Sequence, residues 1–307
     1  MRITFLGTGR MGTELALHLL AEHELRVWNR TERRTQRLAE AGARVASSPA
    51  EAVQGAEVVV TSLFGPDAVR ETVIGPGLIP AGVPWVDTTT VSPADAEEFG
   101  AAVPTYVGVP VIGTLGPARA GKLGVYVGTP DDALREKVLA LVAPWADPER
   151  LRGVDTAAKA ATGKLLANLA LAVSAQGLRE ALALGAATGT PAEDVLDMLA
   201  STGLAFIAGM KGPFVRGERT TEGGDFTADA IAKDARLMID TVAATAAEQG
   251  GTADVPAGTA IPASPRPGSD LPAVRAALAS LDAEIDAGHG DRDFSTMLLP
   301  EARPTGD

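Results

Sequence analysis

The amino-acid sequence predicts an α/β domain built on a mainly parallel sheet, followed by an all-α domain. In the first half of the 307-residue chain, short β-rich runs alternate with helical patterns, which is typical of a parallel sheet covered by helices. After about Asp155 the strand signals stop and helical periodicity dominates. With 46% hydrophobic residues the chain can bury a full core. We therefore predict two domains, residues 1–154 and 155–307.

The predicted strands of the first domain are short apolar runs separated by helical patterns. The first run, RITFL, leads into a glycine-rich turn and a helix from about Met11 to Ala21. The predicted strands are 2–6, 24–28, 57–62, 84–89, 105–110 and 123–128.

The second domain is predicted to open with a long helix from Thr156 to Ala187. Another helix start is predicted at Thr190, where a hydroxyl N-cap is followed by proline and then by glutamate three residues after the cap. Residues 250–270 are rich in Gly, Pro and Ala, which predicts a loop or linker. A last helix follows from about Leu271 to Ala287.

Composition and charge exclude several classes of function. A net charge of −12 argues against nucleic-acid binding, which needs a basic surface. The chain has no cysteine and only three histidines, widely separated, so no metal site is predicted. No apolar run approaches the ~18 residues that span a bilayer, and the N-terminus soon turns glycine-rich, so neither a membrane segment nor a signal peptide is predicted. These features predict a cytoplasmic protein.

A glycine motif follows the first predicted strand. Residues 7–12, GTGRMG, have the G-x-G-x-x-G spacing and open a helix. Glycines there permit a tight turn and the close approach of a pyrophosphate, whose charge the helix N-terminus favours. A tight turn without a ligand is the alternative. The strand–turn–helix context favours a Rossmann-type doubly wound sheet, which would bind a dinucleotide through Gly7, Thr8, Gly9, Arg10, Met11 and Gly12.

The residues after the second strand predict NADP(H) rather than NAD. An NAD-binding protein usually has an acidic residue about twenty positions after the motif, whereas this chain has Asn29, Arg30 and Thr31, followed by Arg33 and Arg34. Arginine and hydroxyl donors suit a 2′-phosphate. A solvated basic helix start is the alternative, but basic residues in a first turn oppose the helix dipole.

Lys164 and Asn168 stand inside the long apolar helix. They are four residues apart, so they share one helical face, one turn apart. The surrounding pattern predicts a buried helix, in which an ammonium loses its hydration unless it is paired. Lys164 either extends to water or is held for chemistry, and the helical pattern leaves both open.

Seven segments resemble one known family when they are taken in order. They are FLGTGRMGTELALHLL, VWNRT, VDTTTVSP (86–93), VPVIGTLGPARAGKLGVYVG (109–128), GKLLANL (163–169), FTADAIAKDARL (226–237) and GHGDRDFST (288–296). The family is that of the β-hydroxyacid dehydrogenases, which includes 3-hydroxyisobutyrate dehydrogenases and succinic semialdehyde reductases. The resemblance runs over almost the whole chain and implies an NADP(H)-dependent oxidoreductase that acts on a small carbonyl or hydroxy compound.

The resemblance also implies roles for individual residues. Lys164 falls on the family's catalytic lysine, a general acid/base, and Asn168 would hold the lysine or the substrate oxygen in register. Contacts with the cofactor are implied for Leu63, Phe64, Thr90, Arg34 and Lys233.

The substrate-recognition segment departs from the family pattern. The family usually has P-V-S-G-G there, whereas this chain has Pro110-Val111-Ile112-Gly113-Thr114. Ile112 has no side-chain hydrogen-bond donor, although the backbone of Gly113 and the hydroxyl of Thr114 can still serve an anion. We therefore expect Ile112, Gly113 and Thr114 to line a more apolar pocket, which favours a semialdehyde or a less polar carbonyl compound.

Two other functions stay open at this point. Segment 181–196 also resembles the imine reductases, and an apolar pocket suits a cyclic imine, but the Lys164 ammonium would repel an iminium substrate. A non-catalytic dinucleotide-binding protein is the other alternative, because a fold does not establish an activity. A homodimer is expected in either enzyme, since the long helix is apolar on too many faces for one partner helix to cover and the family packs its dimers there.

Overall fold

The computed structural model describes residues 1–249 and 270–299. The chain forms two compact units, Met1–Leu166 and Ala167–Asp307. The loop predicted at 250–270 lies outside the described residues, except for Asp270. Among the helices of the described ranges, none combines the length and the apolar character that a membrane crossing requires.

One sheet in the first unit contains the nine strands of the described chain. The strands are β1 (Arg2–Leu6), β2 (Glu24–Trp28), β3 (Arg44–Val45), β4 (Val58–Thr61), β5 (Trp85–Asp87), β6 (Tyr106–Gly108), β7 (Val111–Ile112), β8 (Leu123–Gly128) and β9 (Ala146–Val154). Their order is β3-β2-β1-β4-β5-β6-β8-β7, and β9 pairs with β8. Every pair from β3 to β6 is parallel, which confirms the predicted α/β class.

The sheet changes direction after β6, within the predicted strand 105–110. The ladder of β6 ends at Gly108, and β7 begins at Val111 and pairs antiparallel with β8. Pro110 lies between the two strands and has no N–H to donate to a ladder. The predicted strand therefore ends two residues early, at Gly108, and β7 follows just beyond its predicted bounds.

The sequence predicts no strand over β9, because four of its nine residues are charged and its residues show no apolar alternation. Backbone pairing with β8 forms it, with a register irregularity between Leu123 and Val125. Pro148 is compatible with this position because β9 lies at a margin of the sheet.

Helices cover both faces of the sheet. They are α1 (Arg10–Leu20), α2 (Gln36–Glu40), α3 (Pro49–Ala52), α4 (Pro66–Val69), α5 (Pro93–Ala102), α6 (Leu115–Arg119) and α7 (Asp132–Val142). Phe5 packs into a core with Leu15 and Trp145, whereas the next residue, Leu6, packs into a second core with Trp85 and others. Successive side chains of a strand point to opposite faces, so the two cores are the two sides of a doubly wound sheet.

Five further helices continue the chain, and most of their length lies in the second unit. They are α8 (Ala157–Ala187), α9 (Ala192–Leu199), α10 (Ala205–Val215), α11 (Ala228–Gln249) and α12 (Pro272–Glu284). The core of the second unit includes Leu178, Ile207, Ile231 and Phe294. The long helix is confirmed to within one residue at its start, but the expectation that it is buried is wrong in part, because Leu184 is 68% exposed.

The helix predicted to start at Thr190 is present, but Thr190 is not its N-cap. The N–H of Thr190 donates to the carbonyl of Gly185 over 2.8 Å, so Thr190 closes α8 rather than opening α9. Helix α9 begins at Ala192 with Pro191 at the N-cap position and no side-chain cap.

A buried ion pair fastens the C-terminal part of the second unit. Lys211 Nζ on α10 donates to Asp293 Oδ1 over 2.6 Å, and the two side chains are 2% and 0% exposed. The ammonium also lies 3.8 Å from the centroid of the Phe294 ring. Asp293 accepts further N–H bonds from Ser295 and Asp225. Both members of the pair therefore have hydrogen-bond partners, as a buried charge requires.

Candidate functional site

The glycine loop between β1 and α1 has the shape that a dinucleotide needs. Gly7 has φ +94°, and a Cβ there would lie 2.3 Å from the carbonyl oxygen of Ser62. A Cβ on Gly12 would lie 2.1 Å from the carbonyl oxygen of Gly7. A Cβ on Gly9, in contrast, would meet no atom within 4 Å. The first and third glycines are thus required by packing, while the second leaves open space where a pyrophosphate can approach the backbone.

Two more features of this loop fit a phosphate group. Helix α1 has Gly9 at its N-cap position, no side-chain cap and no acidic residue in its first turn, so its first backbone N–H groups point outward. The hydroxyl of Thr8 is buried and makes no hydrogen bond within the described residues. The loop residues therefore fit the predicted cofactor.

Asn29, one of the predicted cofactor contacts, has hydrogen-bond partners within the protein. Its Oδ1 accepts from the Thr8 N–H over 3.0 Å, and its Nδ2 donates to the Thr31 carbonyl over 2.9 Å. The amide thus holds the glycine loop against the turn after β2 and is a scaffold for both.

The dipole argument for the arginines after β2 is wrong. The helical turn there spans Glu32–Thr35, so its first turn contains an acidic residue, and Arg33 and Arg34 stand in its last turn. Arg30 and Thr31 are exposed beside Asn29. What remains in favour of a 2′-phosphate is the set of exposed cations and the absence of a carboxylate from positions 29–31.

A buried carboxylate connects the carboxyl ends of β4 and β5 with the side chain of the first residue of β6. Asp87, at the end of β5, is 1% exposed. Its Oδ1 accepts from the Thr61 hydroxyl of β4 over 2.7 Å and from the Thr89 N–H over 3.0 Å. Its Oδ2 accepts a longer bond, 3.4 Å, from the hydroxyl of Tyr106 on β6.

Burial dominates the ionisation of this cluster. It raises the pKa of Asp87 to about 6, against the opposing effect of the hydrogen bonds from Thr89 and Thr61. Burial, followed by the neighbouring charge of Asp87, raises the pKa of Tyr106 well above its ordinary value. Sequence analysis missed both residues as site residues, although Asp87 stands in the segment VDTTTVSP.

Lys164 lines one cavity with this cluster. The cavity lies at the carboxyl ends of β5 and β6, and its walls are Asp87, Thr89, Val91, Tyr106, Gly108, Pro110, Ala157, Ala161 and Lys164. The three residues from α8 are spaced i, i+4 and i+7, so one face of the helix forms that wall. Lys164 is half-buried.

Glycines bring α8 close to the sheet. A Cβ on Gly163 would lie 2.8 Å from the ring of Tyr126 on β8, and a Cβ on Gly128 would lie 2.4 Å from the carbonyl oxygen of Thr156. Side chains at these two positions would push the helix away. The close approach places Lys164 against the sheet.

In the second unit, Asn168 belongs to a buried polar cluster. Its Nδ2 donates to Asp234 Oδ2 over 2.6 Å, and Lys233 Nζ donates to Asp234 Oδ1. A carboxylate only accepts, so the amide nitrogen of Asn168 is committed to Asp234. Sequence analysis named Lys233 but missed Asp234, which stands next to it.

The remaining predicted contacts lie in segments that follow strands. Phe64, in the segment after β4, is 63% exposed, and Thr90 follows β5. Ile112 is half-buried on β7. Thr114 occupies the N-cap position of α6, but its hydroxyl does not cap the helix. In doubly wound sheets ligands bind beside the carboxyl ends of the strands, and Leu63, Phe64, Thr90, Ile112, Gly113 and Thr114 all come after such ends or beside them. Within the described ranges no three His, Asp or Glu side chains form a group that could hold a metal ion.

Comparison with known proteins supplies the family. Residues 2–147 match the NAD binding domain of 6-phosphogluconate dehydrogenase. The NAD-dependent L-serine dehydrogenase of Pseudomonas aeruginosa is 33% identical over 64% of this chain and 68% of its own length. Two further curated relatives are matched over 60% and 63% of their own lengths.

Solved structures extend the likeness to nearly the whole chain. The 3-hydroxyisobutyrate dehydrogenase of Mycobacterium tuberculosis, determined with L-serine, superimposes with a TM-score of 0.76 at 25% identity and covers 97% of both chains. An imine reductase from Myxococcus stipitatus, determined with NADP+, gives a TM-score of 0.61 at 19% identity and covers 97% of this chain and 98% of its own. The second likeness is one of fold alone.

Proposed function

This chain belongs to the β-hydroxyacid dehydrogenase family of oxidoreductases that act on CH–OH donors, and from that premise we propose that it is an NADP(H)-dependent reductase of a small carbonyl compound with Lys164 as its general acid/base. One observation carries the proposal. Lys164 lines a cavity at the carboxyl ends of β5 and β6, in the unit that contains the glycine loop fitted for a dinucleotide.

Lys164 has the chemistry that the reaction needs. The bound cofactor supplies hydride to the carbonyl carbon or takes it from the alcohol. During reduction, Lys164 Nζ stabilises the negative charge that grows on the oxygen and delivers a proton to it. During oxidation it takes that proton. Arginine is the chain's commoner cation and cannot release a proton in this way. We propose the family roles for Asn168 toward the lysine or the substrate oxygen, and for Lys233 toward the cofactor.

The preference for NADPH is supported by the turn after β2. Exposed arginines follow Asn29 there, and no carboxylate stands at positions 29–31 to repel a 2′-phosphate. Replacing Arg30 with alanine is expected to weaken NADPH binding about tenfold and to leave NADH binding unchanged, because only NADPH carries the phosphate. Isothermal titration of both cofactors tests this, with Arg275→Ala on α12 as the control. Equal losses for the two cofactors would argue against the phosphate site.

The substrate class follows from the segment 112–114. Ile112 replaces the polar side chain that the family usually has at its position, so a semialdehyde or a less polar carbonyl compound fits better than a small 3-hydroxy acid. An imine reductase is the second candidate, supported by the same apolar residue. The ammonium of Lys164 stands against it, because it would repel an iminium ion.

The test is NADPH oxidation with a panel of substrates: succinic semialdehyde, glyoxylate, methylmalonate semialdehyde, an apolar aldehyde and a cyclic imine. Lys164→Ala is expected to lose about 10²–10⁴-fold in kcat with the carbonyl compounds. Lys159→Ala is the matched control, because Lys159 is an exposed lysine on the same helix, paired with Asp155. Turnover of the imine alone that survives Lys164→Ala would favour the imine reductase. Binding of NADPH without any turnover would favour a non-catalytic dinucleotide-binding protein.

A homodimer is part of the proposal. Leu184, Met198 and Phe206 are large apolar side chains of the second unit, and Phe206 is 75% exposed. We propose that a second copy of the chain covers them, as contiguous apolar patches are covered in association surfaces. Light scattering is expected to give twice the chain mass, and a monomer at working concentration would contradict it. The cytoplasmic location stays a prediction.

A further inference from the structure

Asp87 is a buried carboxylate that no proposed chemical step uses. It lies under the segments that follow β4 and β5, and those segments contain the proposed cofactor contacts Leu63, Phe64 and Thr90. Its two short hydrogen bonds come from neutral donors, the Thr61 hydroxyl and the Thr89 N–H, and both reach Oδ1. A carboxylate held only by neutral donors is costly to bury, so its place in the fold calls for a reason.

The hydrogen bonds continue from Asp87 into both segments. Thr89 Oγ1 accepts from the N–H of Leu63 over 3.0 Å, so the segment after β5 holds the one after β4. The N–H and the hydroxyl of Thr88 both donate to the Thr61 carbonyl. Thr61 Oγ1 also accepts from the indole N–H of Trp85 over 2.8 Å, which fixes the direction of its own proton toward Asp87.

We propose that Asp87 is a positioning residue for the dinucleotide, holding residues 62–64 and 88–90 in the conformation that binds it. The inference rests on the proposed function. Asp87 acts through Thr61 and Thr89, and its Oδ1 is the shared acceptor that keeps the ends of β4 and β5 in register. Asp87 has this positioning role because its Oδ1 accepts hydrogen bonds. An amide oxygen at the same place would still accept them, whereas the methyl group of an alanine would not.

A second buried carboxylate in the same unit provides the control. Asp95 caps α5 through Ser92 and pairs with Arg70. It is buried to a similar degree, but its partners lie on α5 and beside α4. Replacing it with alanine removes a buried carboxylate without touching the bonds from Thr61 and Thr89.

The experiment measures NADPH binding by isothermal titration, with far-UV circular dichroism as a check of folding. Asp87→Ala is expected to weaken NADPH binding about tenfold or more, since an ordered hydrogen-bond network is lost. Asp87→Asn is expected to bind within about threefold of the wild type, because its Oδ1 still accepts both bonds. Asp95→Ala should bind like the wild type. If Asp87→Ala does not fold, Thr61→Val removes one of the two short bonds and is expected to weaken binding in the same direction.

The other outcomes overturn either the positioning role of Asp87 or the proposed function itself. A folded Asp87→Ala, or a folded Thr61→Val, that binds NADPH like the wild type overturns the positioning part. Equal losses in Asp87→Ala and Asp87→Asn also overturn it, since they would assign the effect to charge. A wild-type protein that binds neither NADPH nor NADH overturns the proposed function itself.

Discussion

Two aspartates, one in each unit, are buried to the same extent and held in opposite ways. Asp87 accepts hydrogen bonds from two hydroxyls and a backbone N–H, and burial raises its pKa to about 6. Asp293 accepts from the ammonium of Lys211 as well as from backbone N–H groups. Burial by itself would raise the pKa of Asp293, but Lys211 and the N–H bonds outweigh it and lower that pKa.

This difference distinguishes an aspartate that stabilises the fold from one that lies at a candidate functional site. A buried carboxylate with a matched cation is a closed unit that orders the segments it touches, as Asp293 connects α10 with residues 225–226 and with Ser295. A buried carboxylate with neutral donors destabilises the folded state when it is ionised, because no cation offsets the loss of its hydration. Such a cost is more often found at functional sites, and Asp87 lies on the wall of the cavity that contains Lys164.

The largest loss of stability is expected when the buried ion pair between Lys211 and Asp293 is broken. Asp293→Asn leaves the Lys211 ammonium buried without a counter-charge, so the free energy of unfolding should fall by about 3–5 kcal/mol. Urea unfolding measures it. In Lys211→Met/Asp293→Asn the loss should be smaller than the sum of the two single losses, because the charges are removed together. Additive losses would mean that the two residues are not coupled.

A middle effect is expected at Asp234, whose partners are an amide and a less deeply buried lysine. Asp234→Asn leaves one acceptor oxygen where Asn168 Nδ2 and Lys233 Nζ now have two, at a cost of about 1–3 kcal/mol. The exchange Asn168→Asp/Asp234→Asn restores one donor facing one acceptor, so it should recover part of that stability. A double-mutant cycle in urea measures the recovery. No recovery would show that the Asn168–Asp234 bond contributes nothing to stability.

Replacing Asp87 with asparagine is expected to raise the free energy of unfolding near neutral pH, whereas the same replacement at Asp293 or Asp234 lowers it. The folded pKa of Asp87 is raised, so its contribution to stability is fully present below the unfolded pKa, about 4, and is lost as the pH rises through about 6. Asp87→Asn removes this loss and should be about 1–3 kcal/mol more stable than the wild type near pH 7, and little different near pH 4. Unfolding at both pH values measures it. Destabilisation at neutral pH would contradict the assigned ionisation.

The sequence predicts the fold better than it predicts these clusters. Alternation of apolar runs and helices marks the parallel strands, and the glycine spacing of residues 7–12 marks the dinucleotide loop. Strand β9 forms through backbone pairing and has no apolar pattern, so it could not be predicted from the sequence. Asn168 and Asp234 are 66 residues apart in sequence, and Lys211 and Asp293 are 82 apart. Pairings at such separations follow from packing and have no local signature.

Asn29 illustrates the same limit inside a recognised motif. Its position after β2 predicts contact with the cofactor, and the sequence gives no sign that its side chain also has partners within the protein, the N–H of Thr8 and the carbonyl of Thr31. A motif identifies the segment that meets a ligand. It does not say which side chains in that segment are occupied in holding it.

The smallest effect is expected for an ion pair whose two charges are both exposed to water. Lys159 and Asp155 form an i,i+4 pair on the first turns of α8, 2.9 Å apart and largely exposed. Water already solvates both charges, so pairing gains little and salt screens it. Lys159→Met should leave the midpoint of urea unfolding unchanged within error at high salt. A loss comparable to that of Asp293→Asn would mean that pairing rather than burial sets the cost of removing a charge, and the contrast between Asp87 and Asp293 would then lose its physical basis.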